Sequence, residues 1–192
     1  SGLTESQTQT TDSLAVSSTS AVFGGVGHWT KNSGTLFLTA AFGGPSSNST
    51  MEVSFNLTNP SLDQESPSVQ VSSFIEDGNG LKIGSIKLEN MDKPDSSVYG
   101  VFQGKNPLKV VTPLFEKKDV VQSSPISGKI NTITIVLKSN YDLPAGFSVV
   151  TVTGLIQSQT STTSSLPILS DSNAIPSLGD WNNGTLKLIL AG

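Results

Sequence analysis

The 192-residue chain has only 14% charged residues and a formal net charge of −4, so it lacks the basic patches that bind nucleic acid or an anionic membrane surface. It contains no cysteine, which excludes a disulfide framework, thiolate zinc sites and a cysteine nucleophile. No apolar run reaches bilayer-spanning length, and no secretory leader is recognisable at the start.

The periodicity along the chain is that of strands. After the polar opening "SGLTESQTQTTDSL" comes "GVGHW", then "GTLFLTAAF", which sets Leu36, Leu38, Ala40 and Phe42 on one side. In "MEVSFNLT", Met51, Val53, Phe55 and Leu57 share a face and leave Asn56 pointing outward, because strand side chains alternate with period two. "SPSVQVSS" pairs Val69 with Val71, and "DGNG" between "SSFI" and "LKIG" reads as a hairpin turn. "KVVTPLF" is a strand whose Pro113 confines it to an edge or interrupts it. "NTITIVLKS" sets Ile133, Ile135 and Leu137 together, "FSVVTVTGL" is apolar on both faces, and "GTLKLIL" aligns Leu186, Leu188 and Leu190. Turn-forming clusters punctuate these runs and no helical stripe interrupts them. The expected fold is all-β: an antiparallel immunoglobulin-like β-sandwich of seven to nine strands.

The opening segment recurs. "TGLIQSQTSTTSSL" at residues 153–166 matches residues 1–14 at nine of fourteen positions. At the same offset Gly27 meets Gly179 and Trp29 meets Trp181, and after a two-residue gap Gly34-Thr35-Leu36 meets Gly184-Thr185-Leu186. Both tryptophans of the chain therefore fall in register. Such self-similarity marks a tandem array, with a duplication inside one compact domain as the alternative, so residues 1–152 are expected to form one complete repeat. Residues 153–192, matching residues 1–44, are expected to begin the next, either folding back or donating a strand to a neighbour. The short passage through Thr153-Gly154 predicts a stiff junction.

Few residues suggest chemistry. Asn48, Asn56 and Asn183 head N-glycosylation sequons, which point to an extracellular or cell-surface location. His28 is the sole histidine, and the second copy has Asp180 in its place, which suits a surface position better than a general base. Trp29 and Trp181 are expected as core anchors, with stacking on a sugar ring as the alternative. Asp77 and Asn79 in "EDGNG", beside Glu76 and followed by Asp92 and Asp95, form a fragment of a calcium ligand set inside what is otherwise a plain turn. No catalytic residue and no cofactor motif emerges.

The run "GKINTITIVLKSNYDLPAGFSVVTVTGLIQSQTSTTSSLPI", followed by "GDWNNGTLKLIL", resembles giant tandem-repeat proteins of algal protists, as does "MEVSFNLTNPSLDQESPSVQV". The likeness covers most of the chain and is poorest over residues 75–120. It implies an extracellular or surface-displayed structural role, as in a flagellar hair (mastigoneme), a cell coat or an adhesive, and it brings no catalytic residues. The expected function is thus a non-enzymatic repeat module of a glycoprotein filament or coat, whose partners are neighbouring copies of itself. The alternative is a carbohydrate-binding or adhesin module that recognises glycans through an exposed tryptophan and loop carboxylates.

Overall fold

A computed structural model describes residues 1–18, 22–40, 44 and 46–191. Phe42, expected on the face of Leu36, lies outside them. The described chain is all-β and antiparallel, with twelve strands and no helix. It divides into two compact units, Ser1–Thr112 and Pro113–Gly192.

The first unit contains β1 (Thr11–Ser18), β2 (Val26–Thr30), β3 (Thr35–Phe37), β4 (Val53–Phe55), β5 (Gln70–Glu76) and β6 (Lys82–Asn90). The first four form one sheet in the order β3-β2-β1-β4, while β5 and β6 form a separate hairpin. Asp77 to Leu81 close that hairpin: Asp77 N–H donates to Leu81 O at 2.9 Å and Gly80 N–H to Asp77 O at 3.0 Å. Trp29 is fully buried, and Val16, Val69 and Leu108 are buried as well. Val71 does not join Val69 as the alternation predicted; it is 51% exposed, because β5 begins after Val69 and has only β6 beside it. On β4, Val53 and Phe55 are half-buried and Asn56 is exposed, whereas Met51 lies before the strand and stays exposed.

The second unit contains β7 (Phe115–Gln122), β8 (Ile133–Ser139), β9 (Val149–Val152), β10 (Thr163–Pro167), β11 (Leu178–Asn182) and β12 (Thr185–Ile189). Strands β7 and β8 form a hairpin, and the others a sheet in the order β10-β11-β12-β9. Val150, Trp181, Leu186, Leu188 and Leu190 make its core, with Phe115, Val152, Leu155, Leu166, Ile168 and Ile175 packed around them. The predicted strand "KVVTPLF" is interrupted: Val110 makes one bridge to Gln64, and β7 starts only at Phe115. Proline has no N–H to give a ladder, and here it begins the second unit. Within the segment expected to begin the next repeat, Leu186–Ile189 pair with β9 of the same chain.

The chain exposes 13716 Å². A folded monomer of its 20.0 kDa mass exposes about 8,700 Å², and two independent bodies of half that mass together about 10,500 Å². The hairpins leave large apolar side chains exposed, including Ile83, Ile86, Leu88, Val120 and Val121.

Candidate functional site

The two sequence copies fold into the same object. In the first, Thr11 pairs with Trp29, Leu14 with Gly27 and Ala15 with Val26, with a register shift between Thr11 and Leu14. In the second, Thr163 pairs with Trp181, Leu166 with Gly179 and Pro167 with Leu178, with the shift between Thr163 and Leu166. The next pairing repeats too: Trp29 faces Leu36 and Trp181 faces Leu186. One hydroxyl pair accompanies each bulge. Thr11 Oγ1 lies 3.3 Å from Ser13 Oγ, Thr163 Oγ1 lies 3.1 Å from Ser165 Oγ, and each threonine accepts its serine's N–H at 3.2 Å.

Each tryptophan is held in the same way. Trp29 Nε1–H donates to Thr8 O at 3.0 Å and Trp181 Nε1–H to Thr160 O at 3.2 Å, both across 21 residues. Buried indoles need such a partner for their one polar atom. Gly27 and Gly179 lie beside them for a steric reason. A Cβ on Gly27 would come within 2.7 Å of Leu36 Cδ1 and Leu38 Cδ2; on Gly179 it would meet Leu186 Cδ1 at 2.7 Å and Leu188 Cδ2 at 2.9 Å. The β2–β3 and β11–β12 turns place Gly34 (φ 57°) and Gly184 (φ 84°) in the left-handed region, where glycine alone carries no Cβ penalty. The reading of Trp29 or Trp181 as a sugar platform is therefore corrected: Trp29 has no exposed surface and Trp181 only 5%, so neither offers a face to a ring.

The copies differ at their margins. In the first, Ser6 is fully buried; its Oγ donates to Thr58 O at 2.9 Å and accepts Thr8 N–H at 3.2 Å. Thr8 Oγ1 in turn accepts Thr58 N–H at 2.7 Å. The segment just after β4 is thus clasped by the "SQT" motif. In the second copy Ser158 is exposed and bonds only within the motif, to Thr160 Oγ1 at 3.0 Å and from Thr160 N–H at 3.2 Å.

Sequence reading missed one arrangement with the form of a proton relay. His28 Nδ1 pairs with Asp12 Oδ1, and His28 Nε2 lies 3.1 Å from Thr30 Oγ1. A carboxylate, an imidazole and a hydroxyl in line can activate a nucleophile. Here they stand on an open strand face, with the Asp12 side chain 90% exposed and that of His28 48%. The second copy carries Ser164, Asp180 and Asn182 at these positions. The signal that could have revealed the trio is the cross-strand pairing of β1 with β2, which depends on the bulge and so was hidden from linear spacing.

The remaining candidates are scattered. Asn48, Asn56 and Asn183 are all exposed, Asn48 and Asn183 at positive φ in turns. Asp77 Oδ1 accepts the N–H groups of Asn79 and Leu81, each at 2.8 Å, and these bonds hold its carboxyl below its ordinary value, Leu81 contributing most. Its lone pairs close its own turn. Glu76 faces Lys82 across the hairpin, and Asp95 accepts from Gln103 Nε2 at 3.1 Å. Among the described residues no three acidic, histidine or cysteine side chains gather as a metal site would require. A shallow trough of about 310 Å³ in the second unit is walled mainly by Phe115, Val120, Ile135, Leu137, Val150 and Val152. Lys118 and Asp119 line it as well.

Searches of family models, curated proteins and solved structures match this chain to nothing.

Proposed function

We propose that this chain is a structural module of a tandem array, non-enzymatic, assembled head to tail in an extracellular filament, cell-surface coat or adhesive. The observation that carries the reading is the duplicated meander: two copies 152 residues apart share register, bulge, hydroxyl pair, glycine and clamped tryptophan. What recurs with such fidelity is scaffold. In contrast the one acid–base trio occurs in the first copy alone, which is how an incidental cross-strand contact behaves.

Three further features support the assignment. The hairpins expose large apolar side chains, among them Ile83, Ile86, Leu88, Val120 and Val121, and a contiguous apolar surface suits packing against further copies. In the assembled state the strands form an immunoglobulin-like sandwich, with the hairpins supplying facing layers. The three sequon asparagines are exposed, as acceptors of glycans on a surface protein must be. Burial of both indoles favours the scaffold over recognition of sugars by stacking.

The test is electron microscopy of the native material. The longest strands, of eight and nine residues, plus turns give an axial period of roughly 35–50 Å per module. Filaments with that period support the array, and discrete particles without polymer overturn it.

A further inference from the structure

The two sheets built on the repeated meander are each one strand short, at opposite edges. In the second unit the outer edge of β12 is occupied by β9, with Leu186 opposite Val152, Lys187 opposite Thr151, Leu188 opposite Val150 and Ile189 opposite Val149. The equivalent edge of β3 has no strand beside it among the described residues. Conversely, β1 runs three residues longer than β10, and those residues, Val16–Ser18, are the ones that pair with β4. Their counterparts Ile168 to Ser170 have no such partner, and Leu169 is 98% exposed. Superposing the copies gives a complete sheet of five strands, in the order β9-β3-β2-β1-β4.

We propose that the open edge of β3 is a docking site for the closing strand of another copy of this repeat, a segment with the sequence of β9. It rests on the tandem-array reading for the source of that strand. Four observations fit the occupant to the edge. First, β3 has three residues where β12 has five, and Leu36 and Leu38 are half-buried where Leu186 and Leu188 are buried. The missing neighbour thus leaves both a frayed strand and an uncovered core face. Second, the chain enters both sheets along one path. Leu3 N–H donates to Gly34 O at 2.9 Å and Leu155 N–H to Gly184 O at 3.0 Å. Gly2 and Gly154 have φ of 93° and 90°, and Glu5 and Gln157 have 66° and 63°.

Third, the shared path fixes the register. By correspondence with β12, the valine equivalent to Val152 falls opposite Leu36 and that equivalent to Val150 opposite Leu38. A one-residue slip would put threonine on the core face, so the edge discriminates by side-chain alternation. Fourth, neither "TLFLT" nor "VVTV" carries a charge, whereas unprotected edges are normally blunted by lysine or proline. Main-chain bonding supplies the attraction and the two valines the selectivity, as in other strand additions.

The experiment joins a second copy of Pro144–Val152 ahead of Ser1 in the full chain and follows amide hydrogen exchange. The expected result is at least tenfold slower exchange at the β3 amides that face away from β2, with the amide of Trp29 unchanged as the sign of a folded sheet. With Val150→Asp and Val152→Asp in the added copy, the slowing disappears. Exchange at β3 that is no slower with the added strand overturns the docking site. Should the extended chain misfold, a free peptide of residues 144–153 added to the unmodified protein decides the matter by the same readout. Filaments without β3 protection overturn the docking alone, and protection without filaments overturns the array alone.

Discussion

The indole N–H of Trp29 reaches the main-chain oxygen of Thr8 at 3.0 Å, which pins the polar leader of the motif to the middle of β2. Replacing Trp29 by Phe removes that bond and part of a fully buried ring. The expected cost is about 2–3 kcal/mol, from an orphaned carbonyl and the void left by the smaller ring. Trp181→Phe is expected to lose a similar amount. Denaturant unfolding followed by exchange on each unit checks both. In the unaltered protein, tryptophan emission is expected at short wavelength, resistant to quenching and unmoved by soluble sugars.

Alanine at Gly27 or Gly179 forces a methyl group into two leucine tips. Overpacking of this kind costs about 1–3 kcal/mol. The larger loss is expected at Gly179, where Leu186 and Leu188 are buried on a strand paired with β9 and have less room to step aside; Leu36 on β3 and Leu38 just after it are half-buried, and the outer edge of β3 has no strand beside it among the described residues. Equal losses at the two glycines would contradict the difference in edge occupancy.

Ser6→Ala and Ser158→Ala separate a clasp from its bare copy. Ser6 is buried and bonds across to Thr58 O, so its loss is expected to cost about 1–2 kcal/mol. Ser158 is exposed, and its replacement is expected to fall within about 0.5 kcal/mol of neutral. Urea midpoints of the two variants decide the point.

Acid is expected to loosen the β5–β6 hairpin through Asp77. Its carboxyl is held below the ordinary value of 3.8, chiefly by the Leu81 N–H and then by that of Asn79. A carboxyl with a depressed folded pKa contributes stability above the unfolded value and loses it as pH falls through the folded one. Exchange at Asn79 and Leu81 is therefore expected to accelerate below about pH 3.8 relative to the rest of the hairpin, after correction for the intrinsic rate. The Asp77→Asn variant is expected to show no such excess.

A fluorophosphonate probe is expected to leave Thr30 unlabelled despite its approach to His28 Nε2 at 3.1 Å, because the Asp12 and His28 side chains that would activate it stand open to water. Labelling at Thr30 that vanishes with Asp12→Asn would overturn the non-enzymatic reading.

Much of this organisation can be read from the residues alone. The alternation of Leu186, Leu188 and Leu190 marks β12 and its buried face, and "DGNG" marks the hairpin turn, because both signals are local. The matched tryptophans mark equivalent strands even before their pairing is known. Sheet membership is less accessible. That β9, at the end of one period, closes the sheet of the next depends on pairing partners that no local pattern names. The Asp12–His28–Thr30 trio was hidden for the same reason. Val71 was misread because alternation tells which residues share a face, yet nothing about whether a layer covers it.

The placement of β9 has a consequence for growth. In a chain of n such periods, each closing strand covers the edge presented by its successor, and each β4 covers the opposite edge of its own period. Lengthening the chain by whole periods then adds no meander that lacks a flanking strand: the incomplete flanks stay at two, one at each end of the array, however many copies lie between. Duplication of whole periods in such an array would thus extend its reach while holding constant the number of flanks open to another copy.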